Sequence, residues 1–308
     1  MIAIVTGGAG FIGSELVRQL LLPENSINHV VVFDNLSYAG NQNNLPLSSE
    51  HLSLEVVDIA SASELERAWK NVKALGEDTI VVYHLAAESH VDRSILSGEI
   101  FSRTNVVGTQ LMLESSSLNN VSRFLHVSTD EVYGDILEGE FKETDILKPS
   151  NPYSASKASA EMLVMSYNRT YDIKYLITRS SNNYGERQYE EKLIPKSISY
   201  LKQNKKIPIQ GDGSYVRDWI HVKDNVSAIY HAIMFGGRNE IYNIGARNRL
   251  TNIQVARQVL SWMNKGEDSI TFVPNRWGQD LRYALNTDKI ESIGWSPIHK
   301  NGIFKWFN

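Results

Sequence analysis

The sequence predicts an α/β fold: a doubly wound, largely parallel Rossmann sheet with a smaller mixed C-terminal region. Three observations predict it. Short apolar runs alternate with helical patterns through the first half of the chain. A glycine-rich turn, Thr6-Gly7-Gly8-Ala9-Gly10-Phe11-Ile12-Gly13, falls between the first run and the first helical pattern. The regularity then fades after residue 183. At roughly 150 residues per domain, the 308 residues suggest two domains, and 42% apolar residues can fill real cores.

In chain order, the alternation predicts strands at Ala3–Thr6, Val30–Asp34, Leu52–Val57, Thr79–Leu85, Arg123–Ser128 and Lys174–Thr178. Helices are predicted between them at Phe11–Leu22, Ser63–Ala74, Ile100–Leu118 and Pro152–Tyr171. Ser61 and Glu64 have capping-box spacing, and Pro152 suits a first helical turn. Beyond residue 183 come a loop, a helix near Ile194–Gln203, a Gly-Asp-Gly turn at 211–213, and short strands mixed with helices. With the chain ending at Phe307-Asn308, a short last helix is expected. No internal repeat or low-complexity tract is present, so solenoid and linker architectures drop out.

Composition removes several function classes. With no cysteine there can be no disulfide, thiolate nucleophile, Fe–S cluster or zinc ribbon, and eight histidines leave only a His/carboxylate metal site possible. The formal charge is 31 − 35 = −4 without basic runs, which offers no electrostatic footprint for nucleic acid. Met1 to Thr6 runs straight into the glycine turn, so no signal peptide is expected. The longest apolar runs, His29–Phe33 and Ile80–Leu85, are far below the ~20 residues of a membrane span. A soluble, cytoplasmic protein is expected.

In a doubly wound sheet the ligand crevice lies at the carboxyl ends of the strands, so the residues just after each strand come first. In the glycine turn, Gly7 or Gly8 permits the tight bend, Gly10 lets backbone approach a pyrophosphate, and Gly13 lets helix pack on strand. Asp34 ends the next strand 21 residues past Gly13, where an acid binds the ribose hydroxyls of NAD and repels the extra phosphate of NADP. NAD is therefore the expected cofactor. Tyr153 and Lys157, four apart on one helix, share a face, and an ammonium beside a phenol, with a positive nicotinamide ring near, favours the phenolate. Ser128-Thr129-Asp130-Glu131-Val132-Tyr133-Gly134 follows the fifth strand directly. Thr129 can donate to a substrate hydroxyl. Two carboxyls sharing a site separate in pKa, one staying protonated as acid while the other serves as base. A simple alcohol dehydrogenase has no need of that pair.

These residues carry a resemblance. The Thr-Gly-x-x-Gly-x-x-Gly loop with Tyr-x-x-x-Lys resembles the extended short-chain dehydrogenase/reductase family, and the detail is similar to its nucleotide-sugar 4,6-dehydratase branch. The stretches that carry it are TGGAGFIGS, FDNLSYAGN, HLAAESHVDRSI, TNVVGT, STDEVYGD, NPYSASKASAE, RSSNNYG, EKLIP, GDGSYVRDWIHV and YNIG, with weaker similarity through RYALN. The resemblance implies that an NDP-glucose, with thymidine diphosphate the first candidate, loses water to become the 4-keto-6-deoxy sugar. Tyr153 would take the 4-hydroxyl proton as hydride leaves C4 for NAD. Glu131 would then take the C5 proton, Asp130 would protonate the departing 6-hydroxyl, and the hydride would return to C6. No metal is needed, because the new carbonyl supplies the activation.

For the cofactor the resemblance implies the turn glycines with Phe11, Ile12, Asp34, Asn35, Leu36, Ser37, Asp58, Ile59, Leu85, Ala86, Ala87, Thr104, Lys157 and Asn183. For the nucleotide sugar it implies Ser89, Thr129, Asn182, Lys192, Leu193, Arg217, Asn252 and Arg276. Arg217 and Lys192 suit a diphosphate, although either also reads as a surface cation and Asp58 also reads as a turn cap before Ser61. On this reading residues 1–183 hold the dinucleotide, 219–247 return to that unit, and 184–218 with 248–308 hold the sugar nucleotide. The resemblance also implies a homodimer through four paired helices, with Ile100, Val107, Leu111, Leu118, Leu163, Val164 and Tyr167 on the pairing faces. The sequence departs from the family pattern where Asp-Arg-Pro-Gly-His-Asp-Arg-Arg-Tyr is expected and Asn275-Arg276-Trp277-Gly278-Gln279-Asp280-Leu281-Arg282-Tyr283 stands. Gln210 likewise replaces an aromatic before Gly-Asp-Gly. Both departures fall in the segment expected to hold base and diphosphate, where Trp277 has the ring to stack on a base. Related epimerases and decarboxylases would use the same tyrosine and NAD without needing Asp130, and a non-catalytic NAD-binding regulator would need none of the set.

Overall fold

The computed structural model describes residues 1–77, 79–300 and 303; Phe307 and Asn308, at the expected short last helix, lie outside the described residues. Seven parallel strands form the main sheet: β1 (Ile2–Thr6), β2 (His29–Asp34), β3 (Leu52–Val56), β4 (Ile80–His84), β5 (Arg123–Thr129), β6 (Tyr175–Ser180) and, from much later in the chain, β10 (Glu240–Ile244). Their order, β10-β6-β5-β4-β1-β2-β3, reverses direction between β1 and β4, which opens a crevice at those strand ends.

Alternate residues of each strand face opposite sides, so one sheet builds two cores. Ala3, Val5, Val30, Val32, Tyr83 and Leu125 face α1 (Phe11–Leu20) and α8 (Val222–Phe235), where Leu16, Leu20, Val226 and Ile229 pack. Ile2, Ile4, Val31, Phe33, Val82 and Phe124 face α2 (Ala62–Ala74), α5 (Gly108–Leu118) and α6 (Pro152–Tyr171), where Leu65, Trp69, Met112, Leu113 and Val164 pack. Val164 is fully buried there, so it belongs to the core and not to an outer pairing face.

Differences from the expected elements have local causes. Ser61 sits at the N-cap of α2, yet its side chain makes no cap bond; Glu64 instead accepts from the Asp58 amide at 2.9 Å. The expected helix from Ile100 starts one residue earlier, as α4 (Glu99–Phe101), and is π-wound over Ser102–Val107 before continuing as α5. Within the π turns Asn105 is buried, accepting from Glu88 N at 2.8 Å and donating to Glu88 O and Ser156 Oγ. Widened turns of this kind often mark functional segments, and here the winding ties the loop after β4 to α6. α3 (Val91–Leu96), which has little sequence periodicity, occupies a stretch for which the alternation predicts no element.

Past residue 183 the smaller region is mixed. β7 (Asn182–Tyr184), β9 (Val216–His221) and β11 (Arg249–Thr251) form one sheet, and β8 (Ile207–Gln210) with β12 (Ile270–Val273) forms another. α7 (Leu193–Lys202) and α9 (Asn252–Trp262) pack over them, and α10 (Asp288–Ser292) follows. A buried ion pair joins α6 to the far strands. Arg179 Nε donates to both Glu161 carboxylate oxygens at 3.1 Å, and its Nη1 donates to Tyr133 Oη at 2.7 Å. Tyr133 in turn donates to Asn243 of β10. Among the described residues no helix is long and apolar enough to cross a membrane.

Candidate active site

The strand ends frame a cavity of about 510 Å3 that runs from the glycine turn to the small sheets. At its first end the turn is closed to larger residues. Gly7 has φ +68°, and a Cβ there would lie 2.8 Å from the Ala86 backbone; a Cβ on Gly13 would lie 2.1 Å from Gly7 O. No side chain caps α1 at Gly10 and no acid stands in its first turn, which leaves the helix amides and dipole open to an anion. Asp34 accepts from Ala9 N at 2.9 Å and Leu36 N at 2.8 Å. Each carboxylate oxygen keeps lone pairs for a ribose hydroxyl. Burial raises the Asp34 pKa, and the two amides oppose that rise. The uncapped helix and fixed carboxylate fit a dinucleotide.

Gly10, Phe11, Ile12, Asn35, Ser37, Ile59, Leu85, Ala86, Ala87, Thr104 and Asn183 all line this end. Leu36 and Asp58 do not: Leu36 is used through its backbone amide, while Asp58 caps Ala60 N at 2.9 Å and pairs with Arg103 at 2.9 Å. The turn-cap reading of Asp58 is what its geometry serves. A buried chain fixes the loop after β4. Thr109 donates to Asn105 O at 2.7 Å, and His84 lies 3.0 Å from Thr109 Oγ1 and 2.8 Å from Thr6 Oγ1. Thr6 Oγ1 accepts from the Leu85 and Ala86 amides. With its own proton committed elsewhere Thr109 accepts from His84 Nε2–H, and Nδ1 accepts from Thr6. Burial lowers the His84 pKa to about 3, so the ring stays neutral.

At the centre Thr129, Asp130, Glu131, Tyr153 and Lys157 all line the cavity. α6 starts there because Asn151 and Ser154 form a reciprocal capping box ahead of Pro152. Asp130 is 3% exposed, and its Oδ2 has no partner among the described residues. Burial raises its pKa well above the carboxylate range, and the neighbouring Glu131 raises it further. Burial raises Glu131 too, but Arg276, Arg217 and Lys192 pull it back. Both carboxyls are therefore raised, Asp130 well above its ordinary range and Glu131 by less, since three cations oppose the rise at Glu131.

The tyrosine differs from expectation. Burial and then Glu131 raise the Tyr153 pKa, opposed by a hydrogen bond with Thr129. Lys157 has other partners: its Nζ donates to Val127 O at 2.7 Å and lies 3.3 Å from His126 Nε2. Burial lowers its pKa to about 8. In the chain alone Lys157 does not poise Tyr153 as a base.

At the second end stand Ser89, Asn182, Lys192, Leu193, Arg217, Asn252 and Arg276. Lys192 donates to Ser89 O at 2.9 Å, and Arg276 pairs with Asp92 at 3.0 Å. Arg217 spends its donors on the Val216, Asp280 and Leu281 carbonyls and lies 4.2 Å over the Tyr283 ring. No carboxylate neutralises it among those contacts. Gln210 and Gln279 also line the cavity, whereas Trp277 is 88% exposed and stacks on nothing in it. Further lining residues were not singled out: Tyr38, Glu88, Tyr189, Glu191 and Lys196. Lys196 had a signal, one helical turn past Lys192. The others lie within or beside recognised motifs, but their approach depends on folding: Tyr38 and Tyr189 meet edge to face at 5.4 Å from loops 151 residues apart (189 − 38).

Comparison with known proteins places this geometry. The family model described as GDP-mannose 4,6 dehydratase matches residues 4–300. The chain belongs to that family. It is 46% identical to the low-salt glycan biosynthesis protein Agl12 of Haloferax volcanii, over 96% of this chain and 94% of the relative. It is 42% identical to a dTDP-glucose 4,6-dehydratase of Streptomyces niveus, over 96% and 87%. The crystal structure of DesIV, a dTDP-glucose 4,6-dehydratase from Streptomyces venezuelae with NAD and TYD bound, superposes with TM-score 0.92 at 42% identity, covering 97% of this chain and 93% of that one. A UDP-glucose 4-epimerase of Thermus thermophilus in complex with NAD superposes at 0.88 with 28% identity, over 98% and 95%.

The raised Asp130 pKa has a consequence for stability. A carboxyl raised above its unfolded value costs nothing while both states are protonated, and subtracts stability as pH rises from the unfolded value up to the folded one, where the loss is complete. Asp130→Asn removes that loss. The variant's denaturant midpoint relative to the parent is expected to gain more at about pH 8 than at about pH 5, with unchanged slope; an equal difference at both would show that Asp130 ionises freely.

Proposed function

We propose that this chain dehydrates dTDP-glucose to the 4-keto-6-deoxy sugar nucleotide, using NAD held in the glycine-turn half of the cavity. The observation that carries the proposal is the Asp130–Glu131 pair at the centre of the cavity, in which burial holds Asp130 well above the carboxylate range while three cations restrain the rise at Glu131. An epimerase has no use for a second carboxyl at this place. The names of the relatives and of the DesIV neighbour support the same substrate and cofactor. Within the fold we assign residues 1–183 and 219–247 to the dinucleotide and 184–218 and 248–308 to the sugar nucleotide, in a cytoplasmic enzyme.

Bound there, the dinucleotide supplies a hydride acceptor and donor for the sugar and a positive ring that favours the Tyr153 phenolate. Tyr153 takes the 4-hydroxyl proton. The ketone so formed at C4 acidifies the C5 proton, which Glu131 takes. Asp130, kept protonated by burial, gives its proton to the departing 6-hydroxyl, and water leaves. Glu131 then returns its proton to C5 as C6 is reduced. The proton on Tyr153 has a path back to Asp130 through Thr129, which hydrogen-bonds Tyr153 and donates to Asp130 Oδ1 at 3.3 Å. Arg217, Lys192 and Arg276 gather around Glu131, where they also meet a diphosphate.

Two outcomes test this reading. Incubated with dTDP-glucose, the parent should yield a sugar nucleotide lighter by one water, with the NAD recovered unchanged. Asp130→Asn with Glu131→Gln should lower turnover by ~10²-fold or more while the absorbance of reduced dinucleotide rises on mixing, and Tyr153→Phe should fail without that rise. Near-parental dehydration by the double variant would leave the carboxylates a polar loop and favour an epimerase-type enzyme.

We also propose that two copies pair through residues 99–118 and α6. Ile100, Val107, Met162 and Leu118 stand exposed on these helices, Leu118 at 81%, with Leu111, Leu163 and Tyr167 half-buried beside them. Light scattering at micromolar concentration should give a dimer mass, and Leu118→Lys with Val107→Lys should halve it; a monomeric parent would overturn the pairing.

A further inference from the structure

We infer that His126 is a positioning residue for Lys157: its neutral ring offers Nε2 as an acceptor that aims the ammonium across the crevice. The inference rests on the dinucleotide half of the proposed function.

His126 lies on β5 with no exposed surface, between His84 on β4 and Lys157 on α6. The two imidazoles are tilted by 32° with centroids 5.4 Å apart. His84 is itself held by Thr6 and Thr109, so its ring is a fixed wall behind His126. On the other side Lys157 Nζ lies 3.3 Å from His126 Nε2 and donates to Val127 O at 2.7 Å. A lysine has only protons to give. Nε2 must therefore accept, and the ring proton sits on Nδ1.

That tautomer has a cost. His126 Nδ1 is buried with no partner among the described residues. A leucine would fill the space without leaving a buried N–H unpaired. What the imidazole adds is the acceptor at Nε2. Protonating the ring instead would set a second cation against Lys157 in a site closed to water, and both burial and Lys157 hold His126 well below the ordinary histidine range. With two of its protons committed to Val127 O and His126, the ammonium has one left for the cavity that Lys157 lines. Its rotamer is then set before ligand arrives, which reduces the ordering cost of binding.

A binding cycle separates this role from simple packing. NAD affinity of the full chain is measured by intrinsic tryptophan fluorescence for the parent, His126→Leu, His126→Gln, Lys157→Met and His126→Leu in the Lys157→Met background, with circular dichroism to verify folding. His126→Leu should weaken binding about ten-fold, the scale of a hydrogen bond to a charged group. His126→Gln, which keeps an acceptor near the Nε2 position, should stay within about three-fold of the parent, and the leucine effect should fall below about two-fold once Lys157 is gone. Equal losses in both backgrounds, or a folded His126→Gln as weak as His126→Leu, would overturn the inference. Should His126→Leu fail to fold, His126→Phe takes its place in the same cycle, since it keeps the ring and lacks the acceptor. A parent that binds no NAD would overturn the cofactor assignment and this inference together. A parent that binds NAD with the expected cycle but dehydrates no sugar nucleotide would strike the proposed reaction alone.

Discussion

Removal of charge from water is the constraint on which the site depends. Asp130, Glu131, Tyr153, Lys157 and Lys192 meet at the ends of the central strands, and burial is the largest influence on each of them. In such a place a charge persists only if something offsets its lost hydration. Arg276, Arg217 and Lys192 do so in part for Glu131, whereas Asp130 has Glu131 beside it, with Arg217 opposing. The unequal rise at two carboxyls one residue apart is therefore set by the cations that the small C-terminal region lays over them.

That arrangement requires rigid surroundings, and the buried polar chains supply them. Thr6, His84 and Thr109 link β1, β4 and α5 in a run where every hydroxyl and ring proton has one direction. Asn105 clamps Glu88, and Glu161 with Arg179 locks α6 to β6. Each of these groups is satisfied, so these chains specify one geometry. Loop 185–192 crosses the mouth, where Arg187 pairs with Glu15 of α1 and Tyr189 packs on Tyr38. The glycine-turn end and the small-sheet end of the cavity are thus joined through this loop as well.

Much of this was legible in the sequence because it is local. The glycine turn, Asp34, the Pro152 start of α6, and the Tyr153–Lys157 spacing each express a requirement within a few residues. What escaped depends on residues far apart. Asp58 sits at an expected cofactor position, yet Arg103, 45 residues on, takes its carboxylate. Val164 lies in an outward-reading pattern, yet the sheet takes it. Lys157 has the right spacing from Tyr153 but is drawn to Val127 O and His126, a preference no i,i+4 rule contains. Helix periodicity likewise gave no sign of the π turns at Ser102–Val107.

The central claim is that Glu131 moves the C5 proton and Asp130 serves the leaving hydroxyl. The most direct measurement is deuterium at C5 of unconverted sugar nucleotide recovered from reactions in D2O. With Asp130→Asn, the base still works while water loss is slow, so recovered dTDP-glucose should gain deuterium at C5 faster than product forms. With Glu131→Gln, C5 should keep its hydrogen. Exchange in the Glu131 variant as rapid as in the Asp130 variant would contradict the division of labour on which the account rests.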